Sequence, residues 1–273
     1  MLVQEHGVPV RRACRAVRLS RAAYYRPPRP RLVQDGDVVT ALNEVAGRHS
    51  RWGFWKCFYR LRRAGHRWNH HKRVHRIYCA LRLNLPRRTK RRVPARLRQP
   101  LGAPTRLNET WALDFMADTL YDGRGFRTFN VLDEGNREAL AIEVGTSIPS
   151  ARVIRVLDDP IRLYGRPTHV RVDNGPELTA AAFVDWCATQ RIAIGYIQPG
   201  KPDPFIERFN RSFREEVLDA YLFDSLAQVR ELTEAWLEIY NTERPHDSLG
   251  QVPPLAFLPR PDAAPKSTFE VST

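Results

Sequence analysis

Residues 110–116 read TWALDFM, a stretch in which apolar and aromatic side chains fall on every second residue. Trp111, Leu113 and Phe115 share one face of an extended strand, and Asp114 faces the other way. Because side chains alternate between the two faces of a strand, this period of two predicts a strand with one face in a core. An acidic residue in the middle of such a strand is a candidate site residue.

The segments that follow predict a mixed sheet covered by helices. Turn residues at 122–125 lead into two more strand patterns, FRTFNVLDE (126–134) and EALAIEVG (138–145), which together predict an antiparallel meander. Helix and strand patterns then alternate at 151–165, 168–177, 180–190, 193–200 and 204–221. The order βββαβαβα predicts an α/β fold with a mixed five-stranded sheet. Pro160 is expected to kink or interrupt the first of these helices.

Two acids fall where such a sheet places its ligands. Asp173 ends the fourth predicted strand, in VRVDNGPE, and ligands of α/β sheets bind at the carboxyl ends of strands. If the first and fourth strands are neighbours, Asp114 and Asp173 lie side by side. Like charges held that close require cations, and Mg²⁺ binds one or two carboxylates together with substrate phosphates.

A third acid lies on the helix that begins at Pro204. There Phe205, Phe209 and Phe213 are spaced for a buried face, and the polar face carries Glu207, Asn210, Arg211 and Arg214. We expect Glu207 to be the third metal ligand and Arg214 to face DNA. Taken singly, each acid has a structural explanation, as a turn cap, a partly exposed strand residue or a helix-dipole charge. The three in this order, on these elements, favour a metal site.

The charge distribution points to a nucleic-acid partner. Residues 1–100 contain 26 Lys and Arg against 4 Asp and Glu, a net charge of +22, whereas residues 101–273 contain 18 against 26, a net charge of −8. So sharp a difference indicates a nucleic-acid-binding part joined to another domain. The alternative is a basic tail on an ordinary acidic enzyme.

The basic part reads as helical. Val10, Cys14 and Val17 share a face of a first helix, and Ser20 is a candidate N-cap for a second. Three further helical patterns fall between residues 36 and 83, and the last of them, beginning near Asn69, carries Lys72, Arg73 and Arg76 on its exposed side. This layout is typical of a helix-turn-helix unit. The following segment, RRTKRRVPARLR (87–98), is predicted to lie extended on DNA phosphates, with Arg87, Arg88, Lys90, Arg91 and Arg92 as contacts.

The cysteines, the histidines and the apolar runs of the sequence indicate the cellular compartment and the kinds of metal site that are possible. The four cysteines have no CxxC pair, which favours a reducing compartment over a disulfide framework. His71 and His75 are four residues apart on a predicted helix, which leaves a zinc site as an alternative to solvated histidines. No apolar run is long enough to span a membrane, and no signal core is present, so we expect a soluble, cytoplasmic, nucleoid-associated protein without a membrane partner.

These motifs resemble those of the DDE transposases of bacterial insertion sequences, in particular the product of the second of two overlapping reading frames. RWGFWKCFYRLRRAGHRWNHHKRV (51–74) is similar to the helix-turn-helix region of that family. The integrase core is matched by WALDFMAD, VRVDNGPE, IQPGKP, IERFNRSFREEVLD and WLEIYNTERPHDSL. The resemblance implies an RNase H-like catalytic core at 105–262, after a helical segment (1–30), a helix-turn-helix-like region (31–86) and a basic linker (87–104), and before a tail (263–273).

The resemblance also implies a chemistry. Asp114, Asp173 and Glu207 would be the catalytic triad, holding two Mg²⁺ or Mn²⁺ ions for phosphoryl transfer. The implied partners are double-stranded DNA, at both element ends and target, a second copy of the chain on that DNA, and the upstream-frame product. Two rival functions stay open: an RNase H-type nuclease acting on RNA–DNA hybrids, and a DNA-binding remnant that acts as a repressor.

One departure from the family pattern concerns the lead into the Glu207 helix. Between Asp173 and Glu207 lie 33 residues, two fewer than the resemblance implies, and the shortfall falls in QPGKPDPFIERFN (198–210). In one interpretation Pro204 simply starts the helix, because its fixed φ suits the first helical position. In the other, the helix start shifts and impairs catalysis, since a misplacement of about 1 Å can cost on the order of 10²-fold. We expect a folded protein that binds DNA and cleaves less well than relatives with the longer segment.

Overall fold

The structure, a computed structural model, describes residue 3 and residues 5–26, 35–68, 70–86, 106–197 and 203–260. The basic segment at 87–98, which was predicted to lie extended on DNA phosphates, is outside these ranges. The same holds for the DNA contacts expected from Arg87, Arg88, Lys90, Arg91 and Arg92. Within the described residues, no helix is both long and apolar enough to cross a bilayer.

Among the described residues of the N-terminal region, the chain forms the helices α1 (Val10–Ala16), α2 (Arg21–Tyr25), α3 (Gly36–Arg48), α4 (Phe54–Arg63) and α5 (His71–Ala80). Ser20 caps α2 as predicted, since its hydroxyl accepts a 3.1 Å hydrogen bond from the Ala23 amide. Val17 is 57% exposed, so its predicted place on the buried face of α1 is wrong. The helix ends at Ala16, and the chain turns before Val17 reaches that face.

Helices α3, α4 and α5 pack around one apolar core, as their spacing predicted. The fully buried members include Val38, Leu42, Phe58, Leu61, Val74 and Ile77. Cys57 is buried in the same core, whereas Cys79 is exposed and lies 3.7 Å from a ring nitrogen of His75. The predicted helical histidine pair therefore lies on the surface of α5, beside the aromatic rings of α4.

The C-terminal part contains the predicted order βββαβαβα. Its elements are β1 (Thr110–Thr119), β2 (Gly125–Asp133), β3 (Ala139–Gly145), α6 (Ser150–Tyr164), β4 (His169–Val172), α7 (Pro176–Thr179), α8 (Ala181–Thr189), β5 (Ala193–Tyr196), α9 (Pro204–Phe213), α10 (Leu226–Thr242) and α11 (Pro254–Phe257). The short helix α7 is added before α8, and α10 and α11 follow α9. A π-helical turn (Arg214–Leu218) extends α9, and a 3₁₀ turn (Asp247–Leu249) precedes α11.

The five strands form one mixed sheet in the order β3-β2-β1-β4-β5. β1 is antiparallel to β2 and parallel to β4, which confirms that the first and fourth strands are neighbours. In the register, Ala112 lies opposite Arg171, so Asp114 and Asp173 each follow two residues later on adjacent strands. Parallel strands in register thus bring these two acids to the same end of the sheet.

Each face of the sheet has its own core. Trp111, Leu113 and Val170 point to the layer of α6 and α8, whereas Ala112 and Met116 point to the layer of α9 and α10. By the period of two, Asp114 points to the α9 layer. The other face of β1, which the sequence left unassigned, is therefore a second packed layer with an acid inside it.

Pro160 was expected to kink or interrupt its helix, and the structure shows that it does not interrupt it. Helix α6 runs unbroken from Ser150 to Tyr164, and Pro160 is itself buried. Proline lacks an amide hydrogen and costs an internal hydrogen bond. Burial of Val153 and Leu157 on the same side holds the helix against the sheet, and we attribute the tolerance of Pro160 to this packing.

Candidate active site

Asp114 lies half-buried between the sheet and α9. Its Oδ2 accepts a 2.6 Å hydrogen bond from the side-chain amide of Asn210, and its Oδ1 accepts a 2.8 Å hydrogen bond from the Phe115 amide. Burial is the main cause that raises the pKa of the Asp114 carboxyl to about 6, and the negative charge of Asp173 contributes to the same rise. An ionised carboxylate at this position is therefore costly unless positive charge lies beside it.

Asp173 lies at the mouth of the sheet, just beyond the end of β4. It is exposed, and its Oδ1 accepts a 3.0 Å hydrogen bond from the Gly175 amide, which fixes the turn into α7. A Cβ added at Gly175 would lie 3.0 Å from the same oxygen, so glycine leaves room for this close approach of the carboxylate. The turn-capping role and a ligand role for Asp173 are compatible, because only one of its two oxygens makes this bond.

Helix α9 starts at Pro204, as the simpler of the two interpretations of the short lead predicted. The side chain of Asp203 caps it by accepting a 2.9 Å hydrogen bond from the Phe205 amide. The buried face differs from the predicted one: Ile206, Phe209 and Phe213 are fully buried, whereas Phe205 is only partly buried.

Glu207 is exposed in the first turn of α9. Across the parts of the chain that the structure describes, no three His, Cys, Asp or Glu side chains lie close enough together to hold a metal ion. The fold thus brings Asp114 and Asp173 together on neighbouring strands and places Glu207 on the helix that covers them, without converging the three side chains.

Sequence reasoning missed the role of Asn210. Its amide donates to Asp114, and its carbonyl oxygen accepts a 2.7 Å hydrogen bond from Asn130, a fully buried residue that lies opposite Asp114 on β2. Three side chains therefore link β2, α9 and β1 in a row. The spacing carried a signal for this link, since Asn210 follows Glu207 by three residues and so shares its helix face.

Arg214, expected to face DNA, is anchored to the sheet. Its guanidinium donates to Asp118 Oδ2 (3.0 Å) and to the Ala117 carbonyl (2.9 Å), near the end of β1, and its side chain remains 38% exposed. Arg211 is exposed on the same helix. The guanidinium of Arg214 thus helps to hold the end of α9 against β1.

Of the three residues on α5 that were predicted to contact DNA, one is exposed and two form ion pairs within the protein. The exposed residue is Lys72. Arg73 and Arg76 both pair with Asp35, at 2.5 and 2.6 Å, and the two hydrogen bonds lower the pKa of that nearly buried carboxyl. The two arginines therefore tie α5 to the start of α3, and each keeps its side chain 44% exposed.

Glu216, in the π-helical turn, joins the helical region to the catalytic part. It accepts hydrogen bonds from Trp52 (3.4 Å) and Lys56 (3.3 Å) on one side, and from Trp236 (3.0 Å) and Arg244 (2.8 Å) on the other. Burial alone would raise the pKa of this carboxyl, but Arg244 and Lys56 bring it down to about 2. A charged Glu216 is thus a buried junction between the two regions.

Comparison with known proteins agrees with this geometry. Residues 104–202 and residues 190–254 match models of the integrase core domain. A 39.2 kDa uncharacterized protein of insertion element IS476 from Xanthomonas euvesicatoria is 38% identical over 249 residues, which are 90% of this chain and 71% of that protein. A 31.7 kDa uncharacterized protein of insertion element IS407 from Burkholderia multivorans is 37% identical over 254 residues, 92% of this chain and 91% of that protein.

The fold has solved counterparts as well. A chain of the simian T-cell lymphotropic virus intasome, in complex with the PP2A regulatory subunit B56 gamma, superposes with a TM-score of 0.51 at 15% identity, over 85% of this chain and 78% of that one. The mixed five-stranded sheet with helices on both faces is the RNase H-like fold of an integrase catalytic core. The chain belongs to the integrase-core family of bacterial insertion-element proteins, and it is a transposase.

Proposed function

We propose that this transposase cuts and joins DNA strands with Asp114, Asp173 and Glu207 as its catalytic carboxylates. The observation that carries the proposal is the pairing of Asp114 and Asp173 on adjacent parallel strands, with Glu207 on the covering helix. An acid buried beside a second acid, with its pKa raised to about 6, is typical of a functional site. A structural core has no need of such an arrangement.

The donor chemistry fits divalent cations. Carboxylate oxygens are the preferred ligands of Mg²⁺ and Mn²⁺, and a cation beside Asp114 would offset the repulsion from Asp173. Asp114, Asp173 and Glu207 would hold two such ions, which supply Lewis-acid stabilisation of the attacking and leaving oxygens at a phosphodiester.

The other residues of the site would orient the carboxylates and hold the DNA. Asn210 fixes the Asp114 carboxylate by its 2.6 Å hydrogen bond, so one oxygen has a set direction. Arg211 and Arg214 would contact the phosphates that flank the cut. Lys72, with the exposed parts of Arg73 and Arg76, would contact duplex DNA through the helical region, and the basic segment at 87–92 would add phosphate contacts.

Joining two element ends to a target requires that both ends be held together, so we propose that the transposase acts as a homo-oligomer on DNA. We also propose lower activity than in relatives with a longer lead into α9. In support, Glu207 stays exposed rather than converging on the two aspartates. The alternatives, an RNase H-type nuclease and a non-catalytic repressor, are not favoured by the family membership.

The test is cleavage of DNA that carries an end of the element, in Mg²⁺ or Mn²⁺. Asp173→Asn and Glu207→Gln should each abolish cleavage and strand joining while leaving DNA binding within about twofold. Asp185→Asn, an exposed acid on α8, is the matched control and should cleave like the wild type. Cleavage by the Asp173 or Glu207 variant at the wild-type rate would remove that residue from the triad.

A further inference from the structure

A group of buried charged side chains lies beneath the first turn of α9. Asp203, the N-cap, is 3% exposed, and Glu134, which follows β2, is fully buried. Arg171, on β4, donates through the same Nη1 to Glu134 Oε1 (2.7 Å) and to Asp203 Oδ2 (3.3 Å). One guanidinium thus joins the end of β2, the middle of β4 and the start of α9.

The arrangement of the group favours one proton held between its two carboxyl groups. Two carboxylates meet at one guanidinium, and Glu134 Oε2 is buried without a hydrogen-bond partner among the described residues if both acids are ionised. Burial, followed by the charge of Asp203, raises the pKa of Glu134 to about 8. A protonated Glu134 donates to Asp203, which satisfies the orphan oxygen and leaves Asp203 as the single negative charge beside Arg171.

The first turn of α9 also contacts Arg137. Its guanidinium lies 3.6 Å from the centroid of the Phe205 ring, which is partly buried at the edge of the apolar core. Arg137 itself has a left-handed backbone, with φ of 65°. The first turn of α9 is therefore held by an acid cap and by a stacked arginine.

These contacts connect the proposed ligands. Arg171 precedes Asp173 by two residues, so the two side chains share the face of the sheet that α9 covers. Asp203 precedes Glu207 by four residues, one helical turn, and its carbonyl accepts a 3.1 Å hydrogen bond from the Glu207 amide. The Arg171–Asp203 bridge thus joins the element that carries Asp173 to the element that carries Glu207.

We propose that Arg171, Asp203 and Glu134 form a positioning cluster that sets where α9 begins relative to β4, and thereby where Glu207 stands relative to Asp114 and Asp173. The proposal rests on the proposed function, because it takes Glu207 to be a ligand. A long lead into the helix would leave its start free to shift, whereas here the start is fixed by a buried bridge. Small errors in such a position matter, since about 1 Å can cost on the order of 10²-fold in rate.

The variants are chosen to break the bridge without removing the cap. Arg171→Met deletes the guanidinium, and Asp203→Asn keeps an N-cap side chain of the same shape but removes its charge. Arg171→Lys retains the positive charge and is the conservative rescue. Arg162→Met is the matched control, because Arg162 forms an exposed ion pair with Asp159 on α6, across the sheet from α9.

Two readouts on the metal-free and metal-loaded full chain separate positioning from folding. Hydrogen exchange is measured without metal. Arg171→Met and Asp203→Asn should raise the exchange rates of the amides of residues 205–208 by about tenfold or more, and should leave the rates of residues 111–116 unchanged. Titration with Mn²⁺ should show about tenfold weaker binding in both variants. Arg171→Lys should fall between these variants and the wild type, and Arg162→Met should match the wild type.

The outcomes are distinct. If Arg171→Met and Asp203→Asn leave exchange at 205–208 and Mn²⁺ affinity unchanged, the positioning cluster is overturned. If exchange rises equally in β1, the role is general stability, and the proposal is again overturned. Should Arg171→Met fail to fold, Asp203→Asn and Arg171→Lys decide by the same criteria. Glu207→Gln reports separately on the proposed function: if it binds Mn²⁺ as tightly as the wild type, Glu207 is not a ligand, whereas the exchange result still tests the cluster.

Discussion

The side-chain amide of Asn210, on α9, donates a 2.6 Å hydrogen bond to the carboxylate of Asp114, on β1. Asn210 stands three residues after Glu207, so the helix that carries one proposed ligand also fixes the orientation of another. Asn130, a fully buried residue of β2, donates a hydrogen bond to Asn210 in turn, so the three side chains form one chain of hydrogen bonds. The site is therefore held by hydrogen bonds that cross from the sheet to the helix.

Asn210→Ala should weaken both folding and catalysis. The change leaves the buried side-chain amide of Asn130 without its acceptor and the Asp114 carboxylate without one of its donors. We therefore expect a loss of about 1–3 kcal/mol in the free energy of unfolding. Urea denaturation and the cleavage assay measure the two effects. Asn43→Ala, at an exposed position of α3, is the control and should change neither. Unaltered stability and cleavage in Asn210→Ala would show that the hydrogen bonds of Asn210 to Asn130 and Asp114 contribute to neither.

Glu134→Gln should flatten the pH dependence of stability. The carboxyl of Glu134 faces Asp203, Arg171 and Arg137, and its folded-state pKa of about 8 lies above the ordinary value of 4.5. A raised carboxyl pKa gives stability that is complete below about pH 4.5 and is lost as the pH rises towards 8. Glutamine keeps a donor for Asp203 and cannot ionise, so the variant should match the wild type near pH 5 and exceed it at pH 8.5.

Thermal denaturation of both proteins across pH 5–9 makes that measurement. Glu138→Gln is an unsuitable control because Glu138 is buried against Arg260, whereas Glu234 is exposed on α10, so Glu234→Gln serves. If the wild type and Glu134→Gln follow parallel curves over the whole range, Glu134 is not protonated in the folded protein.

Substitutions on α5 should separate DNA contact from folding. Lys72→Ala removes an exposed charge, so DNA affinity should fall, the dependence of log affinity on log salt should become shallower by about 0.9, and stability should hold. Arg73→Ala should reduce affinity and also destabilise the fold, because it breaks one of the two bonds to Asp35. Fluorescence anisotropy at several salt concentrations checks both. Equal salt slopes in Lys72→Ala and the wild type would remove Lys72 from the DNA interface.

Glu216→Gln should be strongly destabilising. The neutral side chain leaves Arg244, whose side chain is 6% exposed, without its charge partner, and breaking a buried pair in this way costs about 3–5 kcal/mol. It should also loosen the contact of Trp52 and Lys56 with the catalytic part. Chemical denaturation gives the first effect, and Glu234→Gln is the matched exposed control. A loss no larger than in that control would mean that the junction carries no net stability.

The sequence predicted the elements well because their periodicities are strong. The alternation in β1, the strand ending at Asp173 and the capped start at Pro204 all depend on local spacing, and each is present in the structure. The pairing of β1 with β4, which brings Asp114 and Asp173 to the same end of the sheet, was compatible with the sequence pattern but not determined by it.

What the sequence left out depends on tertiary contacts. The local pattern of α9 does not show that Ile206 rather than Phe205 fills the core, because burial depends on the other elements that pack against the helix. The arrangement around Asp203, which favours a shared proton, likewise requires three elements to meet. Arg171 was nonetheless within reach of sequence reasoning, because it is two residues from Asp173 and so lies on the same face of the sheet.

The most direct test of the proposed site is strand cleavage by Asp114→Asn, measured with an element end in Mg²⁺. Asparagine keeps the shape of the side chain and removes a ligand charge, so DNA binding should be retained while cleavage falls by about 10³-fold or more, as several kcal/mol of transition-state stabilisation are lost. Asp185→Asn, measured in parallel, should cleave normally. Cleavage by Asp114→Asn near the wild-type rate would contradict the assignment of this carboxylate to the catalytic centre.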